Sequence, residues 1–241
     1  MRTTLCLDSR RPWPDLLKLA RHAEAAGCDA VRVGDADGPG GRDCLTVLGA
    51  LAGAVARIRL EAVVAAGRGR HPAVVAKFAA TVDQLSLGRL LLGMAPAADA
   101  DTDTAADPDA YPRLAEAFAV VRSLTTQPHT TLAGQFYRLE EAPLDPKPRQ
   151  QPFPLMLVGG DSDLAARVAD RWSIGGDVEA QLAALEKSCA KAGRDRATIT
   201  VAAPYPAAGV DEWVVPDAAL GDNEDERAAT LSRLVTQAGS R

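Results

Sequence analysis

Strand-like and helix-like segments alternate along this chain with very short connections, which restricts it to folds built on a parallel sheet. Thr3 to Leu7 is short, β-branched and apolar. Pro12 and Pro14 bracket the turn after it, Pro14 suiting a helix's first turn. From Asp15, the apolar positions Leu16, Leu17, Leu19, Ala20, Ala23 and Ala26 recur at helical spacing until Gly27 offers a C-cap. Cys28 to Val33 follows at once as a second strand, and Asp35-Ala36-Asp37-Gly38-Pro39-Gly40-Gly41 reads as a loop. One β-α-β unit is therefore complete by residue 33.

The same grammar repeats. Helices are expected over Cys44 to Ala54, Pro72 to Leu85 and Tyr111 to Leu124, with strands over Ile58 to Val64 and Arg89 to Met94. Thr130 to Leu139 and the Pro-rich Pro143 to Pro154 read as a hairpin and an extended crossing. Alternation then resumes: strand Leu155 to Val158, helix Leu164 to Ala169, strand Trp172 to Ile174, helix Val178 to Ala192. Thr198 to Ala203 and Val210 to Val215 are the last two strands, and Glu224 to Gln237 is the closing helix. A closed barrel or an open doubly wound sheet satisfies this order, and eight strands favour closure. Pro204 to Gly209 leaves no room for a helix between strands seven and eight. The expected fold class is thus α/β, a compact (β/α)8 TIM barrel with one reduced connection, as a single domain over residues 1–241.

Composition narrows the partners. Only 4% of residues are aromatic against 47% hydrophobic, so Ala, Val and Leu must do most of the packing. A net charge of −5 with no polybasic block argues against nucleic acid. No apolar run reaches the roughly 18 residues that span a bilayer. Cys6, Cys28, Cys44 and Cys189 have no CxxC or Cys/His spacing, so no metal site is expected and they read as reduced thiols of a cytoplasmic protein.

Three stretches carry a resemblance: Arg57-Ile58-Arg59-Leu60, His71-Pro72-Ala73-Val74-Val75-Ala76-Lys77, and Leu85-Ser86-Leu87-Gly88-Arg89-Leu90-Leu91-Leu92-Gly93. With Ala23 to Val31 upstream, and Val158-Gly159-Gly160 and Ala165 to Trp172 downstream, they resemble the luciferase-like monooxygenase superfamily in family order. The Ala/Arg-rich usage looks like that of a high-GC, actinobacterial source. The resemblance implies a barrel, an FMN or coenzyme F-420 cofactor, oxidoreductase chemistry on a small organic substrate, and a homodimer; the Ala-rich faces of the second and third helices are the residues' own candidate for such an interface.

In such a barrel the ligand sits where the strands end and the βα loops gather. Asp8 and Asp35 are the expected proton-transfer carboxylates. The resemblance places an Asp-His pair at Asp35 in deazaflavin-using relatives, and here Ala36 stands where the histidine would be. Gly159, Gly160, Asp161 and Ser162 occupy the βα turn that the family uses for phosphate. An ordinary turn is the competing reading. Relatives back the ring system with a Gly-Thr pair on the third strand and a Gly-rich turn after the fourth. This chain has Glu61-Ala62 there and Gly93-Met94-Ala95-Pro96-Ala97 after, so Ala62, Val63 and Gly93 are the expected contacts. An inward Glu61 would need a partner. Arg68 and Arg70 are the local positive charge suited to a phosphate, although a solvent-facing loop explains them too. The acidic run of Asp99, Asp101, Asp103, Asp107 and Asp109 reads as a solvated loop.

The leading function is therefore a flavin- or deazaflavin-dependent oxidoreductase or monooxygenase. The departures at Ala36, Ala62, Ala95 and Ala97 keep open two others: a cofactor-independent cyclase or isomerase of secondary metabolism, and a non-catalytic binding subunit.

Overall fold

The structure, a computed structural model, describes residues 1–35, 40–66, 69–96, 107–221 and 223–240. The chain opens with β1 (Arg2–Leu7) and α1 (Trp13–Ala26). Gly27 ends α1 in the left-handed region at φ 86°, and its N–H bonds back to the last turn. Then come β2 (Ala30–Gly34), α2 (Cys44–Ala54), β3 (Arg59–Ala66), α3 (Pro72–Leu85), β4 (Leu90–Pro96) and α4 (Ala110–Thr126). The hairpin β5 (His129–Ala133) and β6 (Arg138–Pro143) interrupts the alternation as its own antiparallel pair. The remainder is β7 (Leu155–Val158), α5 (Ser162–Val168), β8 (Arg171–Ser173), α6 (Val178–Ala192), β9 (Thr200–Ala203), β10 (Glu212–Pro216) and α7 (Glu224–Gly239).

Eight strands close in the order β1-β10-β9-β8-β7-β4-β3-β2, every neighbouring pair parallel. The expected barrel is present, and the connection from β9 to β10 is helix-free. Asp217–Leu220, a short 3-10 turn after β10, lies beyond the last expected strand. No helix among the described residues is long and apolar enough to cross a membrane.

Strand side chains alternate between two environments. Leu5, Leu7, Val31, Val33, Leu60, Ala62, Leu90, Leu92, Leu155 and Leu157 face the helices and join one continuous apolar core with Leu16, Leu48, Val75, Phe118 and Leu185. The opposite faces line the barrel interior, where four charges meet. Arg32 Nε donates to Glu61 Oε2 at 2.9 Å, and Arg171 Nη1 pairs with Glu61 Oε1 and lies 2.6 Å from Glu212 Oε2. Thr4 Oγ1 donates to Glu212 Oε1 at 2.9 Å, and Arg32 Nη1 donates to Ser173 Oγ at 2.9 Å. All four charged residues are 1% to 6% exposed. Barrels of this kind usually fill the same space with branched apolar residues. Here two guanidiniums and two carboxylates neutralise one another, which is the condition under which buried charge is tolerated. Glu61 does face inward, and it has two partners.

Candidate functional site at the barrel mouth

At the C-terminal ends of β1, β2 and β10 a cavity of about 430 Å³ opens, within the range of small-molecule sites. Cys6 to Arg10, Gly34, Asp35 and the turn Pro216-Asp217-Ala218 line it. Asp8 and Asp35 both sit here, as strand-end residues should. Asp217 was not expected; it ends the eighth strand, a position equivalent to Asp8 and Asp35, and closure brings it beside β1. Its Oδ2 accepts the Asp8 N–H at 3.0 Å and the Arg11 Nε–H at 2.6 Å.

The two expected proton-transfer carboxylates have other work. Asp8 Oδ1 accepts both the backbone N–H and Nε–H of Arg10, at 3.0 and 2.9 Å. The side-chain bond to Arg10 in particular holds its carboxyl below the usual range. Burial pushes the Asp35 carboxyl up, but the hydrogen bonds and charge of Arg70 outweigh it and the net shift is downward. Arg70 grips it at both oxygens, 2.8 and 3.1 Å, and also pairs with Asp43. Asp35 further accepts the Cys44 and Ala65 N–H groups, tying the end of β2 to the start of α2 and the end of β3. A carboxylate held ionised in this way is a weak proton acceptor near neutral pH. In this structure Asp8 and Asp35 act as loop anchors.

The Arg70 guanidinium is likewise spent on two carboxylates and is not presented to a phosphate. Arg68 lies outside the described residues, as do Ala36 and the acidic residues Asp99, Asp101 and Asp103. Ala62 belongs to the helix-facing core, on the opposite face from Glu61, so it does not contact a ligand in the mouth. Val63 is on the inward face and half-buried. At Gly93 an added Cβ would lie 2.6 Å from Met156 Cε and 2.7 Å from the Ala62 carbonyl oxygen. The glycine therefore admits neighbouring protein on its Cβ side.

The Gly159-Gly160 turn stays open. Both residues have positive φ, 65° and 78°, and a Cβ on Gly159 would meet nothing within 4 Å. Trp172 Nε1–H donates to the Gly159 carbonyl at 2.8 Å, and the Gly159 N–H donates to Ser173 O at 2.9 Å, which fixes the turn on β7 and β8. Tyr111, at the start of α4, flanks Gly160, its Cε1 3.4 Å from where a Cβ would be. The flanking side chains are committed elsewhere. Asp161 caps α5 by accepting the Leu164 N–H at 2.6 Å, and Ser162 Oγ lies 2.9 Å from Ser188 Oγ on α6. The Asp161 and Ser162 side chains are thus engaged within the protein, and with the Gly159 N–H bonded to Ser173 O only the Gly160 part of the turn keeps the character of an anion cradle.

Ser9 supplies a feature that sequence reasoning missed. Its Oγ is buried and has no hydrogen-bond partner among the described residues, although Ser9 lines the cavity. Buried hydroxyls are almost always partnered, and this one, almost without exposed surface, reaches a ligand only when its side chain turns toward the cavity. Cys6 also lines the cavity, and burial above all raises its thiol pKa, keeping it protonated. The cavity is large enough for a small ring system, and the Gly159-Gly160 turn at the end of β7 lies outside its lining; the arginines around the cavity are paired within the protein.

The chain matches the family model for luciferase-like monooxygenases over residues 3–212. It is similar to the FMNH(2)-dependent dimethylsulfone monooxygenase of Pseudomonas putida, 28% identical over 207 residues, which are 81% of this chain and 54% of that protein. It is also similar to the F420-dependent glucose-6-phosphate dehydrogenase of Amycolatopsis mediterranei (strain U-32), 30% identical over 171 residues, 65% of this chain and 50% of that protein. The chain thus spans about half the length of these relatives. Its fold is like that of the crystal structure of monooxygenase RslO1 from Streptomyces bottropensis, with a TM-score of 0.74 at 20% identity, covering 100% of this chain and 78% of that one.

Proposed function

The chain belongs to the luciferase-like monooxygenase family, and from that premise we propose that it is a flavin- or deazaflavin-dependent oxidoreductase acting on a small organic substrate at the barrel mouth. The observation that carries this reading is the cavity at the ends of β1, β2 and β10, beside which the Ser9 hydroxyl has no partner among the described residues. The cofactor, FMN or coenzyme F-420, supplies the reducing equivalents when bound. The chain's own residues do the rest. Ser9 Oγ, turned toward the cavity, hydrogen-bonds a polar edge of the bound ring or substrate, and the turn at Gly160 receives an anionic tail. The Asp8–Arg10, Asp217–Arg11 and Asp35–Arg70 pairs hold the loops that wall the cavity. Because those arginines are already neutralised, ligand recognition here rests on hydrogen bonds and shape.

Absorbance and fluorescence titration of the purified chain with FMN and with F-420, each oxidised and reduced, tests the proposal. Saturable binding of one of them is expected, weakened by Ser9→Val; no binding of either would refute it.

We further propose a homodimer. Val74, Phe78 and Leu85 of α3, with Leu87 just beyond, are large apolar side chains left exposed, beside an α2 built almost wholly of small and apolar residues. Light scattering is expected to give twice the chain mass, and Phe78→Asp to give a monomer.

A further inference from the structure

At the end of the barrel away from the mouth, a second cavity of about 400 Å³ lies between α4 and α5. Its apolar lining includes Phe118 and Ala119 of α4; its polar lining is Arg122, Arg167, Arg194 and Asp170. Three guanidiniums thus face one carboxylate. Asp170 Oδ2 is satisfied, accepting from Arg122 Nη2 at 2.8 Å and from the Leu155 N–H at 2.9 Å.

Two of the arginines have a structural duty. Arg122 donates to Phe153 O at 2.9 Å and Val168 O at 3.2 Å, and Arg194 to Ala166 O at 3.1 Å and Thr198 Oγ1 at 3.0 Å. These bonds cover carbonyls at the end of α5, and they also hold both guanidiniums in place, so a ligand need not order them. Arg167 has no such duty: it is exposed and makes no hydrogen bond or ion pair with a described residue. One turn earlier, Asp163 is engaged by Ser188 and Lys191, at 2.6 and 3.0 Å. With Arg122 balanced by Asp170, and Asp163 shared by Lys191 and, more weakly, Arg167, the cleft keeps a net positive charge over an apolar floor.

We propose that this cleft binds an organic anion, an aromatic or short alkyl carboxylate, whose carboxylate lies between Arg167 and Arg194 and whose body covers Phe118 and Ala119. The guanidinium fork matches a carboxylate at two points. A bare inorganic anion would use the charge but leave the apolar lining wet, and a neutral body would do the reverse. The assignment is independent of the redox reading, since the cleft is formed by the helix layer and the start of β8.

Calorimetric titration of the chain with benzoate, benzamide and inorganic phosphate tests the proposal. Benzoate is expected to bind at least about tenfold more tightly than either of the others. Arg167→Glu should weaken benzoate at least about tenfold, Arg167→Lys, which keeps the charge but loses the fork, should weaken it by less, and Ala119→Trp, which fills the floor, should also weaken it. Both positions tolerate the change because Arg167 and Ala119 are exposed. Absence of benzoate binding, phosphate binding as tightly as benzoate, or an Arg167→Glu variant with unchanged affinity would each overturn the assignment.

Discussion

Replacing Glu61 with alanine removes the carboxylate that Arg32 and Arg171 share and leaves two buried guanidiniums facing Glu212 alone. Both arginines are at most 6% exposed, so water cannot take over the lost pairing without opening the barrel. Breaking a buried pair from one side costs about 3–5 kcal/mol. An unfolding entropy of roughly 2.1 cal/mol/K per residue converts that, for a chain of 241 residues, to a fall in Tm of about 6–10 °C. Removing both members of one pair, Glu61→Leu with Arg171→Leu, leaves Arg32 with Glu212, 3.5 Å apart, and should cost far less than the single substitution. Thermal and denaturant unfolding followed by circular dichroism on wild type, single and double variants gives the comparison. A Glu61→Ala loss under about 1 kcal/mol, or a double variant worse than the single, would refute the view that the interior charges hold one another.

Three further outcomes are expected. The Asp35 carboxyl is held below its ordinary value, so its pairing contributes stability above the unfolded pKa of 3.8 and loses it as pH falls through the lower folded value. Asp35→Asn should therefore flatten the acid limb of a stability-against-pH curve below about pH 4, and an unchanged limb would contradict this. Gly93→Ala places a methyl group against the Ala62 carbonyl and should destabilise by about 1–3 kcal/mol in denaturant melts. Gly160→Ala forces a side chain to φ 78° and to 3.3 Å from Leu157 Cδ2, so cofactor affinity should fall more than stability does.

Hydrophobic periodicity and turn residues made the barrel legible: each strand and helix of the closed order lies where its pattern puts it, down to the left-handed Gly27 and the helix-free link before β10. The site was less legible, for a physical reason. Period-2 alternation says that Glu61 and Ala62 face opposite ways but not which way, and the answer came from partners on distant strands, Arg171 and Glu212. The same distance hid the Arg70–Asp35 clamp, which turned a supposed phosphate ligand and a supposed base into one anchor. Asp217 had a readable signal, a carboxylate ending the last strand, once closure set that strand next to β1. Ser9 had none, since an orphan hydroxyl exists only relative to its surroundings.

The ligand is expected to bind at the C-terminal mouth, above the charged interior. Hydrogen–deuterium exchange of the chain with and without whichever of FMN or F-420 binds it tests this directly. Protection is predicted at residues 8–10, 34–35, 159–162 and 216–218. Protection confined to the opposite end of the barrel, or to none of these segments, would contradict the account.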